Sequence, residues 1–255
     1  MLIDLDGTLF RGGQVIPGAL DFMSYLHRER MPYLYFTNNS TRTAKEVARH
    51  LEGMGFVADA DHVYTSSMAM ADYVRQKDDI TRAFVLGEEG LLDPISRVLP
   101  VITEEKDLAL DQTANGYAVI VGLDRFVTYS KLRAATRLVL AGSVFLGTNA
   151  DLVLPDDVGM APGTGSFLAL LESATGKQPE VIGKPNARFV ESACRRLGVL
   201  PQEVVVIGDN PATDIAAGEA AGSFTVLVST GVPLSEGERY GANLRVEALC
   251  DLIDS

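Results

Sequence analysis

Two aspartates stand one residue apart near the start of the chain, in the segment Asp4-Leu5-Asp6-Gly7-Thr8. Alternate side chains of an extended chain point to the same side, so both carboxylates can reach one site, and Gly7 permits a tight exit. One carboxylate can then act as nucleophile and metal ligand while the other transfers protons. A turn rich in Asp and Gly is equally common after a strand, so this motif alone leaves both interpretations open.

Three further polar clusters each follow a short apolar run. They are Thr37-Asn38-Asn39-Ser40, Gly183-Lys184-Pro185, and Gly208-Asp209-Asn210 with Asp214. The first offers hydroxyl, amide and backbone N–H groups to phosphate oxygens, the second a cation, and the third carboxylates suited to a hard cation such as Mg²⁺. Each also has an ordinary structural interpretation: a helix-capping loop, a surface lysine before a helix, and an Asx-turn with an N-cap.

The apolar runs before these clusters predict buried parallel strands at residues 2–3, 33–36, 181–182 and 204–207. Helix-like patterns separate them, which indicates βαβ units in a doubly wound sheet. Two helices are predicted in detail, one after the capping box of Thr43 and Glu46, and one that begins near Asn186 and ends before Gly198. Ligands of such sheets bind beyond the carboxyl ends of the strands, where the polar clusters are expected to converge.

The middle of the chain has a separate α/β pattern. Apolar runs at residues 83–87, 117–122 and 144–147 and a helical stretch at 129–140 indicate a second, smaller unit. Because the lysine and the second aspartate cluster follow this unit, it is predicted to be inserted into the first. The expected fold class is therefore α/β, with a doubly wound parallel-sheet core at residues 1–78 and 179–255 and an α/β cap at 79–178.

Composition narrows the possible partners and compartment. The 255 residues carry a formal charge of −12, which disfavours nucleic acids and anionic membrane surfaces. The two cysteines, Cys194 and Cys250, form no CxxC pair, and no apolar run is long enough to span a bilayer. Asp4 and Asp6 interrupt the first apolar residues, so the segment does not resemble a secretion signal. We therefore expect a cytoplasmic protein that binds no membrane.

In this order, the four clusters resemble the motifs of the haloacid dehalogenase (HAD) superfamily of phosphohydrolases: D-x-D-G-T, a strand-terminal Thr or Ser, a Lys, and G-D-x-x-x-x-D. The resemblance extends to the NagD-type branch, which includes p-nitrophenyl phosphatases and pyridoxal phosphatases. It is carried by Val121-Gly122-Leu123-Asp124, Gly147-Thr148-Asn149, Pro162-Gly163-Thr164-Gly165-Ser166 and Ile182-Gly183-Lys184-Pro185. Such proteins have a Rossmann-like core and an α/β cap inserted after the second motif.

The resemblance implies a role for each motif. Asp4 would attack phosphorus to form an aspartyl phosphate, and Asp6 would be the general acid and base. Mg²⁺ would be held by Asp4, by the Asp6 backbone carbonyl and by Asp209, with support from Asp214. The phosphate-binding candidates are Thr37, Asn38, Asn39 and Lys184. The expected substrate is a small phosphorylated metabolite.

The cap is expected to set specificity. In similar proteins the segment equivalent to residues 147–155 descends over the active site, which makes Asn149 and Leu154 the cap specificity candidates. An apolar leucine cannot donate a hydrogen bond to a polar substrate group, so we expect broad specificity. Alternatively, Leu154 fills the core of the cap. Similar proteins can pair through their caps, which leaves a homodimer open, although no residue pattern identifies an interface.

Other functions use related residues. Response-regulator receivers combine Asp, Thr and Lys around Mg²⁺ at strand ends, so a non-catalytic phosphoacceptor is the main alternative. A silent relative that binds phosphorylated metabolites in the same cleft is another, and phosphotransfer to a sugar is a third. The D-x-D-G-T arrangement and the inserted unit favour hydrolysis.

Overall fold

The structure is a computed structural model that describes residues 1–108, 114–156, 159–230 and 241–253. Its strands are β1 (Leu2–Ile3), β2 (Phe10–Arg11), β3 (Gln14–Val15), β4 (Leu34–Thr37), β5 (Val63–Thr65), β6 (Arg82–Leu86), β7 (Val101–Ile102), β8 (Tyr117–Val121), β9 (Val144–Gly147), β10 (Val153–Asp156), β11 (Gly159–Pro162), β12 (Glu180–Val181), β13 (Val205–Gly208), β14 (Phe224–Val228) and β15 (Leu244–Val246). Its α-helices are α1 (Ala19–Arg28), α2 (Ala44–Gly53), α3 (Ser66–Arg75), α4 (Glu89–Ser96), α5 (Tyr129–Leu140), α6 (Thr164–Thr175), α7 (Ala187–Leu197) and α8 (Ala216–Ala221).

The chain divides into two compact units. The first, which we call the core unit, comprises Met1–Thr37, Ala44–Thr65 and the described residues of Lys184–Ser255. The second, the inserted unit, comprises Asn38–Thr43 and the described residues of Ser66–Gly183. The limits predicted for the cap, 79 and 178, fall inside the inserted unit. In the part of the chain that the structure describes, no helix combines the length and apolarity needed to cross a membrane.

The core unit contains a six-stranded parallel sheet in the order β15-β14-β13-β1-β4-β5. When the sheet is numbered from β1 along the chain and read from β5, its strands have the doubly wound order 3-2-1-4-5-6. The chain adds strands on one side of β1 first and then on the other, so the order reverses between β1 and β13. These two neighbours are in register through Leu2↔Val206 and Ile3↔Ile207. The predicted doubly wound fold is confirmed, and the residues after β1 and β13 stand side by side where such sheets bind ligands.

The two helices predicted in detail support the core-unit sheet as expected. In α2, Val47, Ala48 and Leu51 are buried. The helix α7 begins after Asn186, whose side chain accepts a hydrogen bond from the Arg188 amide, and it ends at the left-handed Gly198. The capping amide and the terminal glycine thus explain both ends of α7.

The inserted unit has its own five-stranded parallel sheet, in the order β12-β9-β8-β6-β7. The predicted bounds of the helix at 129–140 and the strand at 144–147 match α5 and β9. Apolar residues of β6, β8, β9, α5 and α6 form one buried cluster. An antiparallel hairpin, β10 with β11, completes the unit and pairs Leu154 with Ala161.

One predicted strand belongs to the other sheet. The run at 181–182 was expected beside the catalytic strands, but β12 pairs with β9 in the inserted unit through Glu180↔Leu146 and Val181↔Gly147. Two further backbone bonds, Ile182 N to Gly147 O at 3.0 Å and Gly183 N to Thr148 O at 2.9 Å, continue that pairing. A two-residue apolar run indicates a strand without specifying its partner, so the expectation was wrong in this detail.

Candidate active site

Asp4 lies directly after β1 and is only 8% exposed. Its Oδ1 accepts a hydrogen bond from Lys184 Nζ at 2.5 Å, and its Oδ2 accepts one from Thr8 Oγ1 at 3.3 Å. Burial raises the pKa of Asp4 to about 6; Lys184 opposes this shift, and Asp209 adds to it. The carboxylate is therefore oriented by two donors in a place that penalises its charge.

Gly7 lets the loop after β1 approach Asp209. Its φ is +93°, and a β carbon at this position would lie 2.2 Å from Asp209 Oδ2. The tight exit expected from the sequence is therefore present, and it requires glycine for both backbone conformation and space. The loop is further held by Thr230, whose hydroxyl donates to the Gly7 carbonyl at 2.8 Å.

Two more buried carboxylates follow β13. Asp209 Oδ1 accepts from Thr8 Oγ1 at 3.2 Å. Asp214, in the helical turn Pro211–Ile215, accepts from Lys184 Nζ at 2.6 Å through Oδ1 and from the Asn210 amide at 3.1 Å through Oδ2. Burial is the largest cause that raises the pKa of each carboxyl to about 6, and neighbouring carboxylates raise it further.

Lys184 is the cation of this cluster and is 2% exposed. Its ammonium bridges Asp4 and Asp214, and it lies 5.0 Å from the centre of the Phe36 ring. Burial alone would lower the pKa of Lys184, but Asp214 and Asp4 raise it above its ordinary value. The side chain is thus held in its charged form between two acids.

The cluster fits a divalent metal ion. Asp4, Asp209 and Asp214 can each place one carboxylate oxygen within 4.8 Å of the others. Three buried carboxylates against one ammonium leave an excess of negative charge, and this repulsion adds to the larger effect of burial in raising the pKa values of the carboxyls. Oxygen donors without nitrogen or sulfur suit a hard cation, so the residues present are those that Mg²⁺ would require.

Asp6 and Thr37 complete the predicted set within the core unit. Asp6 is exposed, in contrast to the buried Asp4. Thr37 is 4% exposed and ends β4, which pairs directly with β1 through Leu2↔Leu34 and Ile3↔Tyr35. The strand ends that carry Asp4, Thr37 and Asp209 are therefore adjacent in the sheet.

Asn38 and Asn39 belong to the inserted unit. The Asn38 side-chain amide donates to Asp151 Oδ2 at 3.4 Å. The Asn39 Oδ1 accepts from the backbone amides of residues 41 and 42, each at 3.0 Å, which closes the turn that precedes α2.

The two cap candidates differ in their surroundings. Asn149 is 5% exposed, and its Nδ2 donates to the Asn38 carbonyl at 3.0 Å. Leu154 is half-buried on β10 and, among the described residues, lies outside the buried apolar cluster of the inserted unit.

Sequence reasoning did not assign Thr8, Ser66 or Thr230. Thr8 is fully buried, and its hydroxyl, which has one hydrogen to donate, lies within hydrogen-bond distance of both Asp4 and Asp209. Its place at the end of the D-x-D-G-T segment was the available signal. Ser66 and Thr230 bond to backbone carbonyls far away in sequence, at Asn38 and Gly7, and no local pattern could have found them.

Comparison with known proteins identifies the family. The family model for haloacid dehalogenase-like hydrolases matches residues 1–98, and a HAD-hydrolase-like model matches residues 181–252. The 5'-nucleotidase YutF of Bacillus subtilis is 40% identical over 235 residues, which is 92% of this chain and 88% of that protein. The chain is a haloacid dehalogenase-like hydrolase.

Further relatives place this hydrolase in the predicted NagD-type branch of phosphatases. The acid sugar phosphatase of Staphylococcus saprophyticus is 38% identical over 92% of this chain and 88% of its own. The structure of a mutant thermostable p-nitrophenylphosphatase from Bacillus stearothermophilus superposes with a TM-score of 0.84 at 40% identity, covering 98% of this hydrolase and 96% of that chain. The predicted family and branch are thus confirmed.

Proposed function

We propose that this hydrolase is a Mg²⁺-dependent phosphomonoesterase that acts on small phosphorylated metabolites through a phosphorylated Asp4. The observation that supports it most directly is the Asp4 carboxylate itself. It is buried at the switch point of the sheet, oriented by Lys184 at 2.5 Å and Thr8 at 3.3 Å, and adjoined by Asp209. A carboxylate fixed in this way is suited to in-line attack on phosphorus.

The first step forms a bond between an Asp4 carboxylate oxygen and phosphorus while the ester P–O bond breaks. Asp6, as the protonated acid, gives its proton to the departing alcohol oxygen. Its exposed position suits a group that exchanges protons with the leaving alcohol and with water, whereas the buried Asp4 suits a nucleophile that is shielded from bulk water. The products of this step are the free alcohol and aspartyl phosphate.

The second step restores the enzyme. The Asp6 carboxylate removes a proton from water, the water oxygen attacks phosphorus, and the bond between phosphorus and Asp4 breaks to release inorganic phosphate. Lys184 balances the charge of Asp4 and of the transferring group in both steps. Thr37, and the neighbouring Asn38, would bind phosphoryl oxygens beside the end of β1.

Mg²⁺ would be held by the carboxylates of Asp4 and Asp209 and by the Asp6 backbone carbonyl. When bound, the ion supplies positive charge that stabilises the phosphoryl oxygens in the transition state. Asp214 would support this arrangement, because its two oxygens already bind Lys184 and the Asn210 amide at 2.6 and 3.1 Å. Those two bonds position the lysine and the loop after β13.

We propose broad specificity for this enzyme. The argument is the chemistry of Leu154, which is half-buried on the β10–β11 hairpin and offers only van der Waals contact. Relatives with different named substrates, a nucleotidase and an acid sugar phosphatase, are of similar identity to this chain. Neither name assigns a substrate here, so the range must be measured.

The deciding experiment measures phosphate release from p-nitrophenyl phosphate, sugar phosphates, nucleotides and pyridoxal phosphate, with Mg²⁺ or with chelator. Turnover that requires both Mg²⁺ and Asp4 supports the proposal, with Asp4→Asn as the matched variant. A folded wild type that accumulates acid-labile phosphate on Asp4 without turnover would instead indicate a phosphoacceptor. A strong preference for pyridoxal phosphate would contradict broad specificity.

A further inference from the structure

Asn149 lies in a cluster of polar residues that belongs wholly to the inserted unit. We call it the Asn38 cluster, and it consists of Asn38, Ser66, Thr148, Asn149, Asp151 and Gly183. Three of its members are each covalently bonded to a residue of the core unit: Asn38 follows Thr37, Ser66 follows Thr65, and Gly183 precedes Lys184. The cluster therefore contains three of the points at which the chain passes between units.

The centre of the cluster is the Asn38 carbonyl oxygen. Ser66 Oγ donates to it at 2.8 Å and Asn149 Nδ2 at 3.0 Å, so two side chains from distant segments share one acceptor. A carbonyl oxygen has two lone pairs, and these two donors occupy both. The position of Asn38 is thereby fixed from two directions.

Asn149 is itself held in place. Its Oδ1 accepts a hydrogen bond from the Asp151 amide at 3.2 Å, and the Asn38 side chain donates to Asp151 Oδ2 at 3.4 Å. With the bond from Asn149 to the Asn38 carbonyl, the loop after β9 is linked to Asn38 at two points. At 5% exposure, Asn149 has little surface left for contact with a substrate.

Gly183 shows how closely the third segment approaches. A β carbon there would lie 2.3 Å from the Thr148 carbonyl oxygen and 2.6 Å from Asn38 Oδ1. Only glycine fits between these atoms, so the residue before Lys184 is packed directly against the Asn38 side chain. The residues next to the phosphate ligand Thr37 and next to Lys184 are thus parts of one cluster.

We propose that Asn149 is a positioning residue: with Ser66, it holds the Asn38 carbonyl and so sets the placement of the adjoining Thr37 for the phosphoryl group. This inference rests on the proposed phosphatase function. It assigns Asn149 to phosphoryl placement instead of substrate choice. Loss of its side chain should therefore impair all phosphate esters equally, because they share the phosphoryl group and differ only in the alcohol.

The test is a double-mutant cycle of Asn149→Ala and Ser66→Ala, assayed with p-nitrophenyl phosphate, a sugar phosphate and a nucleotide. Each single variant leaves one donor on the carbonyl, and we expect about a 3- to 10-fold loss in kcat/KM. The double variant removes both of these donors from the Asn38 carbonyl, and we expect a loss in kcat/KM that exceeds the product of the two single losses several-fold. The loss factor should be the same for all three substrates.

Two further variants separate positioning from general stability. Asn149→Asp keeps the size of the side chain and the acceptor for the Asp151 amide but removes the donor, so its activity should fall at least as far as that of Asn149→Ala. Thr136→Val removes another hydroxyl-to-carbonyl bond of the inserted unit, from Thr136 to Leu132 on α5 at 2.8 Å, and should leave kinetics unchanged. Melting temperatures establish that every variant is folded at the assay temperature.

Titration with inorganic phosphate by calorimetry supplies a readout that needs no turnover. Weaker phosphate binding by Asn149→Ala and Ser66→Ala supports the inference even if wild type hydrolyses no ester, an outcome that contradicts only the proposed function. Four results would overturn the inference. They are an unchanged affinity for phosphate, a double-variant loss in kcat/KM equal to the product of the single losses, full activity of Asn149→Asp, and losses that differ several-fold between substrates.

Discussion

Each unit buries a lysine against an aspartate, but the two groups differ in their balance of charge. In the core unit Lys184 faces Asp4 and Asp214, with Asp209 close by. In the inserted unit Lys131 binds Asp124 at 3.0 Å, and the other oxygen of Asp124 accepts from the Phe126 amide at 2.9 Å. Lys131 and Asp124 are 13% and 2% exposed.

This difference separates a reactive site from a structural ion pair. The pair of Lys131 and Asp124 is neutral, and hydrogen bonds satisfy both oxygens of the Asp124 carboxylate. The other acid near Lys131, Glu104 at 3.9 Å, is exposed to solvent and adds no buried charge. The Lys184 cluster has more acids than bases, and its stability therefore depends on an added cation or on protons. Buried excess negative charge of this kind is what a binding site for a metal cation requires.

The largest expected effect is the loss of turnover in Asp4→Asn. The amide cannot attack phosphorus, so kcat with Mg²⁺ should fall by at least about 10⁴-fold. In chelator the same variant should be no less stable than wild type, because it removes a charge from an excess. Steady-state kinetics and thermal melts measure the two effects, and a marked loss of stability in chelator would contradict the charge argument.

Lys184→Met should come next. It removes the only cation seen among the described residues of the cluster. The buried carboxylates of Asp4 and Asp214 then lose their ion pair with Lys184. We expect kcat/KM to fall by about 10²- to 10³-fold. The variant should also melt below wild type in chelator and regain part of the difference in Mg²⁺, which differential scanning fluorimetry can follow. Equal melting temperatures in chelator would show that the lysine is not needed for charge balance.

Metal removal should abolish turnover of the wild type but should lower its stability only modestly, through the core unit. Binding at about 100 times the Kd stabilises a protein by about 2.7 kcal/mol, or roughly 5–10 °C at this chain length. Mg²⁺ should therefore raise Tm relative to chelator, and Asp209→Asn should reduce that rise. An identical Tm with Mg²⁺ and with chelator would contradict a metal site that contributes to stability.

Breaking the structural pair should have the smallest effect on activity. Asp124→Asn keeps an acceptor for the Phe126 amide but leaves Lys131 without its main counter-charge, which should cost about 1–3 kcal/mol in unfolding free energy. Its rise in Tm with Mg²⁺ should equal that of wild type, and its kcat should not change. A fall in kcat comparable to that of Lys184→Met would mean that the two groups are not as different as their charges indicate.

Three of the four motifs of the core-unit site could be placed from the sequence, because each lies at the end of a strand of the core-unit sheet. In a sheet of order 3-2-1-4-5-6, β1 lies between β4 and β13, so Asp4, Thr37 and Asp209 must be neighbours. The hydrophobic pattern likewise predicted the bounds of α5 and β9. The helix α5 is buried along one face, and successive residues of the strand β9 are buried.

The remaining features depend on long-range partners that no local pattern specifies. The strand β12 has only two residues, so its residue types do not indicate which of the two sheets it joins. Asn149 was named a cap specificity candidate on the resemblance alone, and the bond from its amide to a carbonyl 111 residues away could not be read from the sequence. Side-chain amides and hydroxyls can form hydrogen bonds with many different groups, so only the folded structure shows which partner each of them has.

Gly7 and Gly12 differ in what they would tolerate in a saturation library. A side chain at position 7 would occupy the space of the Asp209 carboxylate, whereas a β carbon at position 12 would meet nothing within 4 Å. Both residues have positive φ, but only the +58° of Gly12, and not the +93° of Gly7, lies in the left-handed region that residues such as Asn can adopt. Enrichment scores should therefore show a single permitted amino acid at position 7 and several at position 12. That contrast would show, without a ligand, that the Asp209 carboxylate restricts the side chain at position 7 of the loop after β1 but not the one at position 12.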